Sequence, residues 1–73
     1  MYAVYGYRNG KLEQTEEVRN KRLAITTARE WGRTLAGLDR IELAQLIKHK
    51  NFTEEKTLAT YVYLSSKKKW RWN

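Results

Sequence analysis

Cysteine is absent from the sequence, and histidine occurs once, as His49. Disulfides and thiolate metal sites are therefore excluded, and a lone histidine does not make a zinc centre. No Asp, Asn, Gly and Glu spacing of the EF-hand kind occurs, and no glycine-rich phosphate loop precedes a helix, so calcium sites of that type and nucleotide hydrolysis find no support. The longest apolar run, around Leu58 to Leu64, is far too short to span a bilayer, and the N-terminus shows no charged region followed by an apolar segment and a cleavage site. These absences lead us to expect a soluble, cytoplasmic protein with no membrane association and no cofactor.

Catalytic groups are also scarce. A nucleophilic triad would have to combine His49 with Ser65 or Ser66, and the adjacent pairs Glu16-Glu17 and Glu54-Glu55 point apart in an extended chain. A minimal metal-free ribonuclease built from Arg, Lys, Tyr, Glu and His49 is chemically conceivable, because in-line phosphoryl transfer needs mainly a base and cationic stabilisation. The thin inventory favours a protein that is not an enzyme.

What the chain has in excess is positive charge. Fifteen Lys and Arg stand against eight Asp and Glu, a formal charge of +7 on 73 residues. Such an excess speeds encounter with polyanions and adds little to stability. It sits in two blocks. Residues 18–38 carry five bases and one acid, whereas residues 57–73 carry four bases and no acid. A chain this short makes one domain, whose core supplies only about 3–5 kcal/mol. Its five tyrosines and three tryptophans must therefore contribute packing, unless self-association does.

Tyr2 to Arg8 favours a pleated surface and leads into Asn9-Gly10, the strongest two-residue hairpin signal, with a partner strand from Lys11 to about Val18. A two-residue loop would set Tyr7 opposite Leu12 and Tyr5 opposite Gln14. A type I turn with a glycine bulge would move the tyrosines to the other face. Thr27-Ala-Arg-Glu30 has capping-box spacing, with Asn20 as the competing cap. Ala28, Trp31 and Leu35 then mark one helix face, Gly37 a stop, and Gly32 a place for close packing against a sheet. Asp39-Arg-Ile-Glu42 resembles a second helix start, and Lys48, His49 and Lys50 suit the end of such a helix, although Ile41, Leu43 and Ile47 also alternate as in a strand. Asn51 to Lys56 reads as a connection, Thr57 to Leu64 as the best strand in the chain, and Trp70 to Trp72 as a returning edge strand.

The expected fold is thus a single two-layer α+β domain, residues 1–73. N- and C-terminal hairpins form one antiparallel sheet, and two helices cover one of its faces, in the order ββααββ. A helix-turn-helix spanning Asp39 to Leu64 is the rival, weakened by the β-branched and aromatic run Thr60-Tyr-Val-Tyr63.

Two binding elements stand out. Lys67-Lys68-Lys69-Trp70-Arg71-Trp72 interleaves cations and aromatics, as single-stranded nucleic acid requires. On an extended strand both tryptophans point to one face, where core packing is the ordinary role, and Arg71 points to the other. Arg22, Arg29 and Arg33 belong to the second cationic block. Tyrosines beside arginines on an outer sheet face would add a base-stacking surface. The expected partner is nucleic acid, DNA or RNA, held by phosphate contacts from Arg22, Arg29, Arg33, Lys67, Lys68, Lys69 and Arg71. The alternative partner is an acidic protein surface on which an adaptor or inhibitor would dock.

Overall fold

The computed structural model describes residues 1–73. Strands β1 (Tyr2–Arg8) and β2 (Lys11–Val18) come first. Helix α1 (Lys21–Thr34) follows, and then β3 (Arg40–Lys48), β4 (Thr53–Leu64) and β5 (Lys69–Trp72). All five strands form one antiparallel sheet in the order β2-β1-β3-β4-β5. The expected ββααββ arrangement with two helices is therefore corrected to one helix and five strands.

The segment that resembled a second helix is β3, the middle strand. Ile41 and Leu43 point to the helix, where both are buried, while Ala44 is buried on the opposite face against Ala3 of β1. A central strand is apolar on both faces, and such a run imitates helical spacing. Asp39 does not cap a helix. Its carboxylate accepts the backbone N–H of Asn9 at 2.9 Å, which ties the first hairpin to the start of β3. The helix-turn-helix reading fails for the same reason, since both of its arms are strands. Thr53 to Lys56, read as a connection, pairs with β3 from Gln45 to Lys48.

Asn9 and Gly10 both have positive φ, 51° and 79°, as the two-residue type I′ loop demands. Tyr7 faces Leu12, yet Tyr5 faces Thr15 rather than Gln14, because Glu13 is an extra residue in β2 that shifts the register by one. Asn20, not Thr27, caps α1. Its side-chain oxygen accepts the N–H of Leu23 at 2.9 Å, so the helix begins seven residues earlier than the capping-box pattern indicates.

The helix lies over β1 and β3. Ala24, Ala28 and Trp31 on α1 meet Val4, Ile41 and Leu43 from the sheet, with Leu38 closing the end. At the side of this core, the Trp70 indole of β5 donates to the Gly32 carbonyl at 3.0 Å, and a Cβ at Gly32 would stand 3.1 Å from that indole. Gly32 thus gives up helix propensity for the close approach of an edge-strand tryptophan. Tyr61 of β4 stacks on Trp70 and packs against Trp72, with ring centroids 5.1 and 4.4 Å apart. No helix is long and apolar enough to cross a membrane.

Candidate nucleic-acid interface

The core face of α1 determines where its arginines go. With Ala24, Ala28 and Trp31 buried, the seven- and four-residue steps from Arg22 to Arg29 to Arg33 line those side chains along the opposite, solvent-facing ridge. At ~1.5 Å rise per residue the ridge is about 16 Å long. Thr26 lies between Arg22 and Arg29 on the same side. The only acid on the helix is Glu30, which pairs with Arg33 at 2.8 Å on exposed side chains, so this pair contributes little to stability. Arg22 and Arg29 make no ion pair. Lys21, which the residue pattern did not single out as a contact, joins Arg22 and Arg29 along a shallow groove on the helix.

The C-terminal cations stand elsewhere. Lys67 and Lys68 occupy the turn between β4 and β5, where Lys68 takes a positive φ of 52°. Lys69 and Arg71 pair with Leu64 and Val62, whereas Trp70 and Trp72 pair with Tyr63 and Tyr61. Because Trp70 and Trp72 face the helix, strand alternation sends Lys69 and Arg71 to the opposite, uncovered face. The two cationic blocks therefore do not merge into one surface. The helix layer carries Arg22, Arg29 and Arg33, the far side of the sheet carries Lys69 and Arg71, and Lys67 and Lys68 sit at the hairpin tip.

The uncovered face also carries tyrosines, but not as free stacking platforms. The Tyr5 hydroxyl donates to Glu55, and that hydrogen bond, with burial second, pushes the Tyr5 pKa up to about 12. Tyr7 lies beneath the Arg40 guanidinium, 4.3 Å from its centroid, and burial followed by the Glu42 charge raises its pKa. Glu42 and Glu55 make the centre of this face partly acidic, unlike a phosphate-binding surface. Tyr2 and Tyr61 pack instead against the core on the helix side.

His49 stacks on Phe52 at 4.4 Å and contacts Glu54 at 3.0 Å, both at the β3–β4 hairpin tip. Ser65 and Ser66 follow the other end of β4, roughly 37 Å away along a strand of this length. No dyad between them exists. No group of His, Cys, Asp and Glu side chains is arranged to hold a metal.

One feature without a local sequence signature is a cleft between α1 and β4. Because the helix covers β1 and β3, the inner side of β4 at Leu58 and Ala59 is left partly open. The result is an apolar hollow of about 280 Å³, into which Leu58 and Trp72 project and beside which Lys21 and Arg29 stand. Residues from Tyr2 to Trp72 line it, so only the assembled sheet reveals it.

No family model, curated protein or solved structure matches this chain.

Proposed function

We propose that the protein binds nucleic acid non-enzymatically, holding phosphates on the outer ridge of α1 through Arg22, Arg29 and Arg33, with Lys21 beside them. The observation that carries this reading is the ridge itself: three arginines in line, one neighbouring acid, and none opposite Arg22 or Arg29. The ridge is convex and bears no aromatic ring, so base stacking is not its chemistry. A helix about 10–12 Å across matches a B-form major groove about 12 Å wide, and the ridge covers the axial rise of about five nucleotides of one strand. The reading therefore favours a duplex over a single strand. Lys67 and Lys68 at the hairpin tip act as auxiliary contacts, and Lys69 and Arg71 as a separate patch.

Fluorescence anisotropy with labelled duplex and single-stranded oligonucleotides at several salt concentrations tests this. The three arginine contacts alone predict a slope of log K against log salt of about −2.7 for the duplex, and each lysine that also meets a phosphate steepens it by about 0.9. Replacing Arg22, Arg29 and Arg33 together with Gln should abolish measurable binding, whereas replacing Lys67 and Lys68 should weaken it several-fold. Absence of duplex binding at low salt, or a triple arginine variant that binds as tightly as the parent, would overturn the proposal. An acidic protein captured after nuclease treatment, with no affinity for the duplex, would support the docking-module alternative instead.

A further inference from the structure

We infer that the cleft between α1 and β4 is a binding site for a small anionic amphiphile, an alkyl or aryl chain bearing one carboxylate. The inference does not depend on the nucleic-acid reading: it shares Lys21 and Arg29 with that ridge, but the apolar lining that carries it plays no part there. The cleft encloses about 280 Å³, near the lower end of small-ligand pockets, which matches a ligand of fragment size. Leu43, Ala59 and Trp72 of the sheet form its floor, and Ala24 and Ile25 form the helix wall. Leu58 is 36% exposed beside it, a large side chain that the fold leaves in contact with water.

The polar lining decides the ligand's charge. Lys21 and Arg29 are the only ionisable cations around an otherwise apolar surface, and no acid lines it. Neither engages a carboxylate of the protein or any other side chain. Their positions eight residues apart on α1 set them about 12 Å apart along the helix axis. An apolar body in the hollow would bury Leu58, Ile25 and the face of Trp72. Its head group would meet either cation, whose long stem lets the charge swing to the mouth. A cationic head group would meet like charges, and a neutral one would leave both cations unused.

Decanoate titrated into the ¹⁵N-labelled full chain provides the test, with decanol as a neutral probe of the same chain length. Decanoate should shift the amide resonances of Ala24, Ile25, Leu58 and Ala59 and the Trp72 indole N–H. Decanol should bind at least tenfold more weakly. Lys21→Gln with Arg29→Gln should lower decanoate affinity about tenfold and leave decanol affinity unchanged. Leu58→Trp, at a partly exposed position, fills the hollow and should reduce both. No saturable shift at millimolar decanoate, shifts spread over other regions, or equal affinity for acid and alcohol would each overturn the assignment. So would a charge-removed variant, folded by circular dichroism, that binds decanoate as the parent does.

Discussion

Trp70→Ala removes the side chain that fastens the last strand to the helix, and its effect can be worked from the contacts. The indole is partly buried, donates one hydrogen bond to the Gly32 carbonyl, and stacks on Tyr61. Half-burial of a large aromatic removes about 100 Å² from water, or about 2.5 kcal/mol at ~25 cal/mol per Å². The hydrogen bond adds about 1 kcal/mol and the aromatic pair about 0.5 kcal/mol or more. Residual burial in the unfolded chain lowers the sum, leaving a loss of about 3 kcal/mol. A domain of this size has about 3–5 kcal/mol from its core, so Trp70→Ala should leave a large unfolded fraction at 25 °C. Trp70→Phe keeps most of the apolar area and loses the hydrogen bond, for about 1–2 kcal/mol. Urea titration followed by circular dichroism measures both, with the Phe variant serving where the Ala variant is too unstable. The same Phe variant should bind duplex as the parent does. A loss below 1 kcal/mol for Trp70→Ala would show that β5 is not held by this contact. A folded Trp70→Phe with markedly weakened duplex binding would refute the separation of the tryptophan face from the cationic ridge.

Gly32→Ala opposes two terms, a helix gain of about 1 kcal/mol and a 3.1 Å contact with the Trp70 indole. The gain should appear in full only when Trp70 is already Phe or smaller, which a double-mutant cycle in urea measures. Asn20→Ala should cost about 1 kcal/mol by removing the cap, whereas Thr27→Ala, inside the helix, should cost nothing or stabilise slightly; thermal unfolding separates them. The Tyr5 pKa, about 12 when folded against 10.0 in the open chain, means that the folded state keeps its phenol proton longer. That stabilisation is full below pH 10 and is lost as pH rises toward 12. Because the pair is largely exposed, the effect is well under 1 kcal/mol. Tyr5→Phe should flatten that part of the stability–pH curve, and an unchanged curve would contradict the Tyr5–Glu55 contact.

Local chemistry made both ends of the molecule readable. Asn9-Gly10 announces its own turn, because a type I′ loop asks for two positive φ angles that few other residues supply. The β-branched and aromatic run before Leu64 and the tryptophan alternation after Lys69 likewise report a pleated surface directly. The middle did not carry such a signal. β3 carries buried apolar residues on both faces, Ile41 and Leu43 toward the helix and Ala44 away from it, so its alternation is broken. Asp39 and the exposed Lys48 sit where helix-end charges would, although Asp39 in fact accepts the Asn9 N–H. Thr27 matched a capping box better than Asn20, although the buried residue Ala24 needed the earlier start to reach Val4 and Leu43. Arg22, Arg29 and Arg33 could be grouped from spacing alone once a helix was assumed. Their separation from Lys69 and Arg71 depended on which face of β5 the tryptophans took, and the cleft beside Leu58 depended on how far the helix reaches across the sheet.

The middle position of β3 has a consequence for how far this protein can be divided. The seven core side chains split into Val4, Ala24, Ala28 and Trp31 before the loop at Ala36-Gly37, and Leu38, Ile41 and Leu43 after it. Each half keeps its own hairpin, but neither keeps a core, because the β1–β3 seam and the helix packing over it are the interface between the halves. A chain cut at that loop is therefore a pair of complementary fragments, each without a complete core alone and each completing the other. Reassembly would be bimolecular, so its midpoint would move with fragment concentration, a behaviour the uncut chain lacks as a single cooperative unit.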